Sequence, residues 1–312
     1  MRLPIISLTL LLLVAATTAG AASKARTVPA DAELTLTHGE DPRVGTYVSS
    51  SWGFSTNSFW IEGPKGLILV DTQFLPSAAE EFVNWAEQVT GKKAVMAFVL
   101  HANPDKFNGT ATLKKRGIKV VTSEQVRALM PEIHEKRVRA FYDRYQPDYP
   151  KDLTLPDSFG NQTTEIEAAG LKVKAHVMGA GCSNAHVVLE WEKHIFVGDL
   201  IANGNHSWLE IGRTDEWLKR IEEMRALKPD FVHPGRGPAM DARLLDQEEV
   251  YLKKVVELVA AEKPRGEPDE KALDRVKSQM EALYPAHRYA IFLNIGLPAE
   301  WRRQAAATGK TP

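Results

Sequence analysis

The stretch His101-Ala102-Asn103-Pro104-Asp105-Lys106-Phe107-Asn108-Gly109 decides the fold. It begins where an apolar run ends. Ala94 to Leu100 is continuous, too short for a helix between its flanks, and reads as a buried strand that delivers His101 at its C-terminal end. Layered α/β folds place their ligands on loops of this kind.

Working outward toward the N-terminus, Ser58 to Glu62 and Leu67 to Val70 are two strands around the turn Gly63-Pro64-Lys65-Gly66, and Asp71-Thr72 ends the pair. Pro76-Ser77 opens a helix with Phe82, Trp85, Ala86 and Val89 at helical spacing. Toward the C-terminus come a short helix over 108–115, a strand over 118–122 and an amphipathic helix over 123–146 that Pro147 and Pro150 end. Strands are then expected over 153–155, 163–168, 171–178, 186–191 and 194–197. A helix over 214–227, a strand over 231–233, and helices over 242–263 and 268–284 follow. The apolar stretch Tyr289 to Ile295 either caps the core or faces a partner copy. Two similar halves of this kind predict two sheets packed face to face with helices outside, an α/β αββα sandwich.

Four loops fall at strand ends: 101–109, 179–184, 199–206 and 233–237. They read His101-Ala-Asn103-Pro-Asp105-Lys106-Phe-Asn-Gly109, Gly179-Ala-Gly181-Cys182-Ser183-Asn184, Gly198-Asp199 after an apolar strand, and Pro234-Gly235-Arg236-Gly237. In this order they resemble the metallo-β-lactamase superfamily. Its first loop reads His-x-His-x-Asp-His, its second Gly-x-Gly-His-Thr, its third Gly-Asp and its fourth Pro-Gly-His-Gly. The segment from Gly198 to His206 also resembles exported relatives linked to sulfur oxidation and quinoprotein systems.

The resemblance implies two zinc ions: one on three imidazoles, the other on an Asp and two histidines, bridged by the Gly-Asp carboxylate. Carried over position by position, His101 is a first-site ligand kept, while Asn103 and Cys182 stand in place of two histidines. At the second site Asp105 is kept, and Lys106 and Arg236 replace histidines. Asp199 keeps the bridging position. Lys106 and Arg236 are cations that repel a divalent ion, and arginine never deprotonates. They are expected to fill the second metal's place and pair with Asp105 and Asp199, or to form a site for a carboxylate, sulfate or phosphate. The cofactor expected is either none or one zinc, held by His101, Cys182 and a carboxylate of Asp105 or Asp199.

Two functions from different classes follow. One is a hydrolase of a small ester, thioester or amide that uses Asp105 and Asp199 as catalytic groups with at most one metal. The other is a non-catalytic binding or accessory protein with an anion site at Lys106 and Arg236. A thiol nucleophile, Cys182 with His101 as base and its pKa lowered by the two cations, is a further option. His206 and His233 are expected to be structural, and His186 and His194 outward-facing or hydrogen-bonded. Trp52 and Phe54 either line a cleft or pack in the core.

Lys and Arg number 39 and Asp and Glu 40, so a net charge of −1 gives no electrostatic case for nucleic acid or an anionic membrane. The expected partner is a small molecule, anionic in the binding-protein reading. Arg2, the apolar run Leu3 to Ala16 and Ala19-Gly20-Ala21 read as a signal peptide over 1–21, since the run is short for a membrane anchor. The protein is therefore expected to be exported to a periplasm or secreted, with no membrane contact after cleavage. A lone cysteine forms no internal disulfide. The expected organisation is a linker over 22–45, the sandwich domain over 46–240 and a C-terminal helical extension over 241–312.

Overall fold

The computed structural model describes residues 41–308. The signal segment 1–21, and the linker apart from 41–45, lie outside the described residues. The first sheet runs in the order β1 (Val44–Val48), β2 (Asn57–Gly63), β3 (Gly66–Val70), β4 (Ala94–Phe98), β5 (Lys119–Thr122) and β6 (Asp157–Ser158). Its first three strands are antiparallel and its last four parallel. The second sheet runs in the order β11 (Phe231–Arg236), β10 (His194–Ala202), β9 (His186–Trp191), β8 (Leu171–Met178) and β7 (Thr164–Ala168). Here only β10 and β11 are parallel.

The central strands of the second sheet are apolar on both faces because both faces are covered. Val187, Leu189 and Trp191 of β9 join the core shared with the first sheet, whereas Val188 enters the core beneath the outer helices. In β10, Phe196 faces inward and Ile195 and Val197 face outward by the same alternation. The first core also takes Phe82, Val83 and Ala86 of α1 (Pro76–Thr90), Leu113 of α3 (Thr110–Lys115), and Val126 and Met130 of α4 (Glu124–Tyr145). Between α1 and α3 lies the short α2 (Pro104–Phe107). The second core is closed by α5 (Thr214–Ala226), α6 (Arg243–Ala261), α7 (Glu270–Leu283) and α8 (Ile291–Thr308). This is the αββα sandwich.

Three local differences have physical causes. The strand expected over 153–155 does not form; Leu153 and Leu155 pack half-buried against the first core, and the pairing with β5 falls at Asp157–Ser158. The linker gives way to β1 at Val44, and Arg43 stacks on Trp191 at 4.4 Å. The helices beyond residue 240 form part of the outer layer of the second half: Leu245, Leu252 and Val255 of α6 and Leu293 and Leu297 of α8 share one core with Trp217 and Ile221 of α5. The stretch Tyr289 to Ile295 leads into α8 and buries Phe292 and Leu293 within the chain, so it caps the core.

Candidate functional site

Strand ends bring the four loops together. His101 follows β4, Asp105 and Lys106 sit on α2, Asp199 lies in β10 and Arg236 closes β11. Two glycines permit the close approach. A Cβ on Gly198, whose φ is +55°, would lie 3.1 Å from His101 Nδ1, and one on Gly235 would lie 2.1 Å from Asp199 Oδ1.

The centre is an alternating lattice of charge. Lys106 Nζ stands 3.0 Å from Asp105 Oδ2 and 2.9 Å from Asp199 Oδ1. Arg236 reaches the same two carboxylates, at 2.8 Å and 2.7 Å. It also donates from Nε to the Phe54 carbonyl at 3.1 Å, and Thr56 Oγ1 donates to Asp105 at 3.3 Å. All four charged residues are buried, and Lys106 has no exposure at all. Burial pushes the Asp105 and Asp199 carboxyls up, but Lys106 and Arg236 outweigh it and hold both below the usual range. Burial likewise pulls on the two cations, and the carboxylates return them to higher than ordinary values. Asp71, 4.0 Å from Lys106 and bonded at Oδ1 by the Leu100 amide at 2.9 Å, is pushed by burial up to about 8. At neutral pH it is therefore mostly protonated, and two carboxylates face two cations.

That balance corrects two expectations. Lys106 and Arg236 are not a vacant anion site, because both charges are already matched and Lys106 is sealed from solvent. Asp105 and Asp199 are poor acid–base groups, because carboxyls held this low are weak bases and carry no proton to give near neutral pH.

Cys182 is buried with its Sγ 3.8 Å from His186 Nε2. Burial and the nearby Asp199 carboxylate push the thiol well up, so the expectation of a thiolate nucleophile lowered by the two cations is reversed. His186, expected to be outward-facing or hydrogen-bonded, is fully buried at the site and accepts from the Ser183 amide at 3.1 Å. Its ring centroid is 5.2 Å from that of His101, and burial holds it neutral. The signal for it was faint: an imidazole four residues after Cys182 at the start of a strand. His101 itself is wholly buried, 3.6 Å from Asp199, and neither ring nitrogen has a hydrogen-bond partner. His206 bonds Tyr251 Oη at 2.9 Å, and His233 contacts His194 at 3.0 Å while stacking on Phe196, both away from this centre.

Above the lattice lies a cleft. Its walls are aromatic: Phe54, Phe74, Phe141, Trp208 and Phe292, with Asn103 and Asp105 at the floor. Phe54 thus lines the cleft, while Trp52 packs against Tyr145 at 4.5 Å. At the rim Arg137 pairs with Glu210, which also holds Lys136 at 2.5 Å and accepts from Trp208 Nε1 at 3.1 Å. Two cations share one carboxylate there. Composition alone did not point to this rim or to Phe292, since their loops and helix lie far apart in sequence.

The two-metal centre implied by the loop motifs does not fit these residues. The carboxylates of its second position are taken up by an ammonium and a guanidinium within 3.0 Å. The donor chemistry nearer the first position does suit a single soft metal: one atom each of His101, Cys182 and His186 lie within 4.8 Å of one another. His101, Asp105 and Asp199 satisfy the same distance test, but their carboxylates are the paired ones.

Residues 51–236 match the family model described as the metallo-beta-lactamase superfamily. Among curated relatives, a metallo-beta-lactamase type 2 of Bacillus cereus is 27% identical over 199 residues, 61% of this chain and 70% of the relative. A second, from Bacillus sp. (strain 170), is 26% identical over 198 residues, with 61% and 70% covered. Among solved structures, a metallo-beta-lactamase from Pontibacter korlensis superposes with a TM-score of 0.57 at 21% identity, covering 71% of this chain and 99% of that one. The mono-zinc form of FIM-1 from Pseudomonas aeruginosa gives 0.54 at 18% identity, covering 72% and 97%. The structural likenesses concern the fold alone.

Proposed function

We infer the function of this chain from its family and from what has replaced the family's metals: it belongs to the metallo-β-lactamase superfamily, whose members are generally hydrolases and typically bind zinc. We propose that it is a non-catalytic, exported binding or accessory protein. It uses the aromatic cleft to hold a small molecule and does not hydrolyse it on two metals. The observation that carries this reading is the placement of Lys106 Nζ at 3.0 and 2.9 Å from the two carboxylates that a second metal would need. Without that metal, no water is made acidic at the lattice, and the two cations there are already matched by Asp105 and Asp199.

The ligand class follows from the cleft. Its floor is neutral by charge count and its walls are aromatic, so the body of the ligand is an apolar ring. At the rim Lys136 and Arg137 face the single carboxylate of Glu210, which leaves one positive charge in excess. A small aryl carboxylate meets both. The anion preference drawn from the sequence is thereby moved from Lys106 and Arg236 to the rim.

Calorimetry with phenylacetate, and with benzyl alcohol as its uncharged counterpart, tests this. The carboxylate is expected to bind the more tightly, and Phe292→Ala to weaken it about tenfold, about 1.4 kcal/mol. Nitrocefin and p-nitrophenyl acetate are expected to turn over no faster than in buffer. Zinc-dependent turnover abolished by Asp105→Asn would overturn the binding role. A hydrolase of a small ester, thioester or amide with one metal is the second reading, favoured by the His101, Cys182 and His186 donors; it requires turnover that is lost in Cys182→Ala. Export is tested separately by fractionating cells and sequencing the mature N-terminus, which is expected to follow Ala21.

A further inference from the structure

We propose that His101, Cys182 and His186 form a buried site for one monovalent soft metal ion, Cu(I), set apart from the place that Lys106 and Arg236 fill. The loop motif assigns no ligand at position 186, so this is a different donor set from the one that the family resemblance implies.

Backbone pairing brings the three residues together. His101 and His186 form an isolated antiparallel bridge, and the Val187 amide donates to the Leu100 carbonyl at 2.7 Å. Cys182 Sγ then lies 3.8 Å from His186 Nε2, the separation expected of a thiolate and an imidazole on one ion, and the three donor atoms lie within 4.8 Å of one another. A second observation is the hydrogen-bonding state of His101. His101 has no exposure, and both of its ring nitrogens lack a hydrogen-bond partner. Asp199 Oδ2 is 3.6 Å from Nε2, too long for a hydrogen bond. A buried polar group left in this state calls for a partner, and a metal ion is one.

Charge selects the ion. Two neutral imidazoles and a thiolate around a monovalent cation make a neutral unit. The same donors around Zn²⁺ leave a net positive charge in a buried site, beside a lattice whose own carboxylates are already paired with Lys106 and Arg236. Burial therefore favours the monovalent ion. Thiolate and imidazole donors suit Cu(I) by softness, and a trigonal set of three suits it by geometry. Binding displaces the thiol proton to solvent, forms a Cu–S bond and leaves copper in the same oxidation state. The Ser183 amide, which now donates to His186 Nε2 at 3.1 Å, must release that nitrogen. The proposal does not depend on what the aromatic cleft holds.

The full chain, kept anaerobic, is titrated with Cu(I) buffered by bathocuproine disulfonate, and its metal content is measured after desalting. One copper per chain is expected, with a thiolate-to-copper charge-transfer absorption. His186→Ala and Cys182→Ala should each lose both signals, and Asp105→Asn should keep them. Circular dichroism checks that each variant is folded, and Cys182→Ser, close in size, replaces any that is not. No copper on folded wild-type protein would overturn the proposal. So would copper retained by a folded His186→Ala or Cys182→Ser chain, or zinc taken up in preference when both ions are supplied equally.

Discussion

Lys106 has no exposure to water, and two carboxylates within 3.0 Å make its charge tolerable there. Lys106→Met removes that charge and leaves Asp105 and Asp199 to share Arg236. Breaking a buried pair from one side costs about 3–5 kcal/mol, so urea unfolding should show a loss of that order. Lys106→Met with Asp105→Asn should recover part of it, since one cation then meets one carboxylate. A single-variant loss under about 1 kcal/mol would mean that the lattice contributes little. The converse exchange restores metal ligands: Asn103, Lys106, Cys182 and Arg236 all changed to His should bind two zinc ions per chain by elemental analysis, and Lys106→His alone should not bind two. Part of this centre was legible in the sequence, because the family resemblance marked positions 106 and 236 as ligand positions and charge type then set Lys106 and Arg236 apart from metal ligands. His186 was not. A histidine at a strand's first position carries no mark of which neighbour the opposite sheet will bring to it.

At the scale of elements, the strands of the two sheets were readable because β4, Val187 to Leu189 of β9 and Ile195 to Val197 of β10 are continuous apolar runs. The failure at 153–155 shows the limit of that reasoning. Leu153 and Leu155 are apolar at alternate positions, yet they pack on the core as side chains without entering the ladder, and no local signal separates the two uses. Helix α8 is the other case. Its apolar residues suited either a cap or a dimer face, and the choice depended on Leu209, whose side chain meets Gly296 so closely that a Cβ there would fall 2.7 Å away. Leu297 sits in the same packed seam with 1% exposure. Leu297→Ala should therefore cost about 2–5 kcal/mol in urea unfolding, the cost of a buried cavity. A loss below about 1 kcal/mol would show that α8 lies loosely on the sandwich.

The whole molecule buries acids of opposite tendency, and this sets how its stability depends on pH. Asp105 and Asp199 are held low, so their contribution is complete above the unfolded value of 3.8 and is lost only in stronger acid. His206 and His233, lowered to about 4 and about 3 by burial, contribute fully above 6.5 and lose stability as pH falls below it. Asp71 and Glu248 run the other way, raised by burial to about 8 and about 7. The fold binds their protons more tightly than the unfolded chain does, so each destabilises as pH rises from its unfolded value toward its folded one. Between pH 6.5 and 8 the low carboxylates contribute no slope, the histidines complete the last part of their gain, and Asp71 and Glu248 act in the opposite direction. One group contributes about 1.4 kcal/mol per pH unit, so wild-type stability should fall by about 2 kcal/mol over that range from Asp71 alone. Asp71→Asn isolates this contribution. Asparagine tolerates the φ of 63° at this position, and its amide oxygen can still accept from Leu100, so the geometry survives while the titration does not. Urea unfolding at intervals across the range should give a flatter line for Asp71→Asn, with Glu248→Gln flattening only the lower part. If the wild-type and Asp71→Asn lines run parallel, Asp71 enters the fold as a carboxylate, and the lattice carries three negative charges against two cations.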